Sequence, residues 1–205
     1  MSAVVPAAPR LVLADRVLGR SLPLDLVLVV SGAALTALLA QVAVPLYPVP
    51  ITGQTLAVLL VGATLGAARG AISLALYAVL GLVGLPVFSD YASGVDVILG
   101  PTGGYIVGFI VSAALVGWLS ERAWERRVLK ALATFAAGTL VVFAVGLPWL
   151  AVALGLDLVQ TLDAGLFPFL IGGAIKALIA AGLLPLAWWG ADRLETRRPA
   201  DSNEA

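Results

Sequence analysis

The 205-residue sequence contains no cysteine and no histidine. The first absence excludes disulfides, thiol nucleophiles and thiolate metal sites. The second removes the commonest general base and the commonest metal ligand. Charge is scarce too: 12% of the residues are charged and 61% are hydrophobic, with a mean hydropathy of +1.06. A soluble domain carries about 25% charged and about 45–50% apolar residues. There is too little polar side chain here to clothe a water-soluble particle, so the chain reads as an integral membrane protein.

The few charges divide the chain. Charge-free runs cover 26–68, 70–89, 97–120 and 131–156; a fifth, 164–191, is interrupted by Lys176 alone. A helical span takes about 20 mostly apolar residues. The first run holds two spans, because "PLYPVPITG" (45–53) stops a helix with three prolines and a glycine. The fold expected is all-α, with six transmembrane helices in one bundle near 26–45, 53–68, 70–86, 103–120, 131–154 and 166–190. A five-span alternative fuses 53–86, but "LGAARGA" (65–71) sets Arg69 among small residues, which suits a tight interfacial turn.

Cation placement supports six spans independently. Arg10, Arg16 and Arg20 precede the first span, and Arg69 lies between the second and third. Arg122, Arg126, Arg127 and Lys130 lie between the fourth and fifth, and Arg193, Arg197 and Arg198 follow the sixth. All fall on one side of a six-span chain. The opposite loops carry Asp90, Asp96, Asp157 and Asp163 and no Lys or Arg. The positive-inside rule then makes both termini cytoplasmic. The division expected is a cytoplasmic leader over 1–24, a six-helix substrate-binding domain over 25–191 and a polar cytoplasmic tail over 192–205. The leader does not read as a secretory signal, since Asp15 and Arg16 interrupt its short apolar run.

Lys176 is the one cation this topology leaves inside the bilayer. It lies roughly ten residues, or about 15 Å of helix, from Leu166. That is deep for a snorkelling ammonium, and an intramembrane charge usually faces a bundle interior or wet cavity with a partner. Its own segment offers no acid. A counter-charge comes from another segment, such as Asp90, Asp96, Asp157 or Asp163, or from an anionic ligand.

Two non-cytoplasmic segments bring polar groups to the same face. "YPVPITGQT" (47–55) supplies Tyr47, Thr52, Gln54 and Thr55, either as a lid or as a rigid Pro turn with an N-cap Thr. "GPTGGY" (100–105) supplies Thr102, Gly103, Gly104 and Tyr105, with Asp90 and Tyr91 upstream. Its glycines either bring backbone amides to a ligand or let helices pack closely. The Gly-Lys-Ser/Thr ending of a phosphate loop is absent. In the first span Gly32, Thr36 and Ala40 form one set of small residues at four-residue spacing, and Ala33 and Ala37 another; such a face serves bundle packing or partner docking.

The stretches "PVPITGQTLAVLLVGATLGAARG" (48–70), "YAVLGLVGLPVF" (77–88), "LGPTGGYIVGF" (99–109) and "PFLIGGAIKALIAA" (168–181) resemble BioY-type proteins. These are the substrate-binding S components, for biotin, of energy-coupling factor (ECF) vitamin transporters. The resemblance runs from about 26 to 190 in the right order. It implies six helices and a vitamin pocket near the outer face of the cytoplasmic membrane. It also implies coupling to a transmembrane T component and two cytoplasmic ATPases, with no cofactor and no enzymatic activity in this chain. Lys176 maps onto the family lysine expected at the biotin carboxylate, and Ala33 and Ala37 onto the contact with the T component. Tyr47, Gln54, Tyr77, Asp90, Tyr91, Thr102, Gly103, Gly104 and Tyr105 complete the expected substrate-binding set. One departure is plain: the family pattern leads us to expect an Asp three residues before the lysine, where this chain has Gly173.

Other readings are an S component or secondary transporter for another small anionic vitamin, and a membrane assembly scaffold. Ion-coupled transporters tend to carry several intramembrane acids, and a scaffold gives no reason for a deep lysine. An intramembrane enzyme lacks its parts, with no His, no HExxH and no acid pair within a span.

Overall fold

A computed structural model describes residues 12–124 and 127–196. Arg10, Arg126, Arg197 and Arg198, with the start of the expected leader and most of the expected tail, lie outside these described residues. The helices are α1 (Leu13–Leu18), α2 (Leu22–Ala40), α3 (Gln54–Leu65), α4 (Ala67–Leu82), α5 (Val95–Leu99), α6 (Gly103–Ser120), α7 (Val128–Leu154), α8 (Leu158–Gly165) and α9 (Phe167–Thr196). A short 3-10 turn spans Ser89–Tyr91.

Four helices, α2, α6, α7 and α9, are long and apolar enough to cross a membrane. The other two expected spans, α3 and α4, have 12 and 16 residues. At helical rise they reach about 18 and about 24 Å, short of an apolar core of about 30 Å. They form a tight helical hairpin. Gly66, at φ +86°, makes the turn that the small-residue stretch around Arg69 suggests. A Cβ on Gly70 would lie 3.1 Å from Gly62 Cα, and one on Gly62 2.8 Å from the Ala113 carbonyl of α6. Only glycine lets these backbones approach so closely. The hairpin and α7 pack around α6, α2 packs on α3 and α4, and α9 packs on α7 and α3.

The fold is not purely helical: the helix break at 45–53 falls within a short β-hairpin. Strands β1 (Ala43–Val44) and β2 (Ile51–Thr52) pair antiparallel, Ala43 opposite Thr52 and Val44 opposite Ile51. Pro45, Pro48 and Pro50 lack an N–H but fall in the connection, so the ladder loses no donor. The Tyr47–Pro48 peptide is cis.

The small residues of α2 mostly serve the bundle itself. Gly32, Ala33, Thr36 and Ala40 are all buried. A Cβ on Gly32 would meet Ser73 Oγ at 2.7 Å. Ala33, 2% exposed, lies within the core, and Ala37 is half-buried.

The end of the expected leader is docked onto the bundle. Asp15, with its side chain 1% exposed, pairs with Arg20 and Arg69 at 2.7 Å each, and Arg69 also pairs with Asp25 at 2.7 Å. These pairs tie α1, α2 and α4 together. Burial raises the Asp15 carboxyl pKa, but hydrogen bonds and charge from Arg20 and Arg69 outweigh it and hold the group below its ordinary value.

Candidate functional site

A cavity of about 320 Å³ opens where the β-hairpin, the 88–102 loop, the first turns of α3, α6 and α9 and the middle of α7 meet. This volume suits a small molecule, since ligand sites run from about 300 to 1,000 Å³ and are mostly apolar with a few placed polar groups.

Its polar cluster is built around Lys176. The Nζ donates to the Thr52 carbonyl at 2.5 Å and to Thr55 Oγ1 at 3.0 Å. Two structural features make this possible. Pairing of β2 places Thr52 beside α9, and α3, which starts at Gln54, presents Thr55 in its first turn. Thr52 Oγ1 donates to Gln54 Oε1 at 2.6 Å, and Gln54 Nε2 donates to Tyr77 Oη at 2.5 Å. Among the described residues no carboxylate lies within 4.0 Å of Lys176 Nζ. Asp157 is engaged elsewhere, capping α8 reciprocally with Gln160. Asp90 and Asp96 line the same cavity, and both are exposed. The ammonium is thus held by neutral oxygens. With two of its three donors used, one remains for an incoming anion.

The apolar wall is aromatic. Tyr105 stacks on Phe169 with centroids 6.4 Å apart, and Phe143 meets both rings edge-on. Tyr105 Oη donates to the Gly165 carbonyl at 3.0 Å, which fixes the ring against the start of α9. Phe109, Ile106 and Val142 extend this surface.

The expected site residues therefore separate into groups. Lys176, Tyr47, Gln54, Asp90, Thr102 and Tyr105 all line the cavity, Tyr47 at 88% exposure. Tyr77 sits behind it, buried at 1% and holding Gln54. Tyr91 is 70% exposed and is not among the lining residues; its backbone N–H donates to Gln41 Oε1 at 3.1 Å. Gly103 and Gly104 do not line the cavity, and both are closely packed. A Cβ on Gly103 would lie 1.7 Å from the Ile98 carbonyl, and one on Gly104 2.2 Å from Trp149 Cβ. Thr102 Oγ1 donates to the Val97 carbonyl at 3.3 Å.

Sequence reasoning missed Phe88, Ser89, Thr139, Phe143 and Phe169 as lining residues. For the phenylalanines no signal was available, because an aromatic in an apolar span looks the same facing lipid or cavity. Thr139, a hydroxyl inside a charge-free run, is a signal that the sequence does offer. Gly173 also lines the cavity, and a Cβ there would meet only Thr139 Cγ2, at 3.9 Å. The described residues contain no group of three or more Asp or Glu able to hold a metal ion.

Comparison with known proteins places this arrangement. The BioY family profile matches residues 15–193. The chain is 36% identical over 155 residues to the biotin transporter BioY2 of Lactococcus lactis subsp. cremoris, covering 76% of this chain and 85% of that one. It is 37% identical over 167 residues to the biotin transporter BioY of Rhizobium etli, covering 77% and 89% respectively. Its fold is similar to the crystal structure of the S-component for biotin from an ECF-type ABC transporter, with a TM-score of 0.68 and 25% identity over 84% of this chain and 91% of that one. With several apolar helices and this profile match along most of its length, the chain is a multi-pass membrane protein of the BioY family.

Proposed function

We propose that the protein takes up biotin as the substrate-specific S component of an ECF-type transporter. The observation that carries this reading is Lys176, an ammonium in a mostly apolar, aromatic-walled cavity with neutral oxygen partners and a donor to spare. The named functions of the BioY relatives point the same way.

Biotin has one carboxylate, a ureido ring and an aliphatic chain. The carboxylate takes the free donor of Lys176. The chain and thiophane ring lie on Tyr105, Phe109, Phe143 and Phe169. The ureido group meets the polar groups of the 88–102 loop and the hairpin, with Tyr47 at the rim. Biotin enters from the outer face and leaves inward when a T component and two cytoplasmic ATPases reorient the chain, all within the cytoplasmic membrane and its lipid. No cofactor and no catalytic step belong to this chain. Six spans with both ends cytoplasmic remain our topology. It is supported by the charge asymmetry and by the antiparallel α3–α4 hairpin, which returns the chain to the face it left.

Calorimetric titration of the detergent-purified chain with biotin tests the reading. Saturable 1:1 binding is expected. Absence of heat with biotin, alongside binding of another small carboxylate, would overturn the substrate and keep the anion site.

A further inference from the structure

The loop over the cavity contains a buried hydroxyl that none of the described residues satisfies. Among the described residues Ser89 Oγ has no hydrogen-bond partner, yet Ser89 lines the cavity. Buried polar groups are nearly always paired, so an orphan beside a cavity calls for an explanation.

The backbone around it is held in an unusual form. Asp90 and Tyr91, neither of them glycine, both adopt φ +56°, a conformation that L side chains avoid and that persists only when neighbours enforce it. Gln41, just past α2, supplies that enforcement. Its Nε2 donates to the Phe88 carbonyl at 3.0 Å and to the Ala37 carbonyl at 3.2 Å, and its Oε1 accepts from the Tyr91 N–H at 3.1 Å. One amide thus brackets Ser89 and Asp90 from both sides. Below, Phe88 is 2% exposed and meets Tyr77 edge-on at 5.4 Å. A Cβ on Gly81 would lie 2.0 Å from Phe88 Cζ, so only glycine admits the ring there.

We propose that Ser89 is a ligand-contacting residue whose hydroxyl hydrogen-bonds the polar ring of the substrate, and that Gln41 is the positioning residue that places it. The proposal deepens the biotin reading and uses biotin as its probe. A ureido ring offers both N–H and C=O, and a hydroxyl can serve either.

The test is a double-mutant cycle on biotin binding, with thermal melting of the ligand-free variants. Ser89→Ala is expected to weaken binding about fivefold while leaving the ligand-free melting temperature equal or higher, because an unsatisfied buried hydroxyl is removed. Gln41→Ala is expected to weaken binding by at least as much. The double variant should bind no worse than Gln41→Ala, since the two act through one contact. Gln41→Glu, which keeps the acceptor for Tyr91 but loses both donations, should fall between wild type and Gln41→Ala and covers the case in which alanine fails to fold. Unchanged affinity in Ser89→Ala, or additive losses in the cycle, overturns the proposal. Absence of biotin binding by the wild type overturns instead the substrate reading, and this contact with it.

Discussion

Replacing Lys176 with methionine keeps most of the length of the side chain and removes its charge. In the ligand-free chain the ammonium holds the Thr52 carbonyl and Thr55 Oγ1, so one N–H is available to a substrate carboxylate. A hydrogen bond to a charged group contributes about 1.5–3 kcal/mol net. The bare Coulomb term is larger, about 4 kcal/mol at 4 Å with an effective dielectric near 20, but dehydration of both ions offsets part of it. The expected loss is therefore about 10- to 150-fold in Kd. Titration of both proteins with biotin and with biotinamide, whose carboxylate is replaced by a neutral amide, isolates the ion pair. Wild type should prefer biotin by about that factor, and Lys176→Met should bind the two ligands alike. A Lys176→Met variant that still prefers biotin by the wild-type ratio would refute the assignment, because the carboxylate would then be recognised elsewhere. Melting temperature is a separate readout: Lys176→Met leaves the Thr52 carbonyl without its donor, at a cost of about 1–3 kcal/mol where that group is buried.

Other predictions address the frame and the site. Gly104→Ala places a Cβ 2.2 Å from Trp149 Cβ and should destabilise the α6–α7 contact by about 1–3 kcal/mol, seen as a lower melting temperature in detergent. Arg69→Ala strips the buried Asp15 of one of its two cations and should cost about 2 kcal/mol, less than the loss of a sole partner because Arg20 remains. Since Asp15 has a folded pKa below its unfolded one, its contribution is present above about pH 4 and is lost as pH falls through the folded value; Asp15→Asn should remove this part of the acid dependence of melting. Gly173→Asp introduces a side chain with no close neighbour to displace and restores an acceptor one helical turn from Lys176. Calorimetry should show biotin binding tighter by a few-fold, about one net hydrogen bond, whereas weaker binding would mean that the new carboxylate neutralises the lysine.

The membrane class, the breaks between helices and the anomalous position of Lys176 were readable from the residues alone. Each rests on a local cost. A bilayer penalises charge wherever it falls along the chain, so the scarcity of charge and its spacing mark spans and loops without any knowledge of packing. The prolines of 45–53 and the glycine at 66 announce turns for equally local reasons.

Other features depended on how segments meet. Gly104 could sit beside open space or beside a bulky neighbour, and only the position of α7 puts Trp149 there. Ala33 could face a partner or the core, and the packing of α2 on α3 and α4 turns it inward. Phe143 and Phe169 became cavity walls because α7 and α9 bring them to Tyr105. Asp157 was a candidate counter-charge until α8 formed around it as a cap. In a chain so uniformly apolar, hydrophobicity does not distinguish a lipid-facing side from a core-facing one. Facing is decided by close fit between helices, a property of several segments at once that no single stretch of sequence contains.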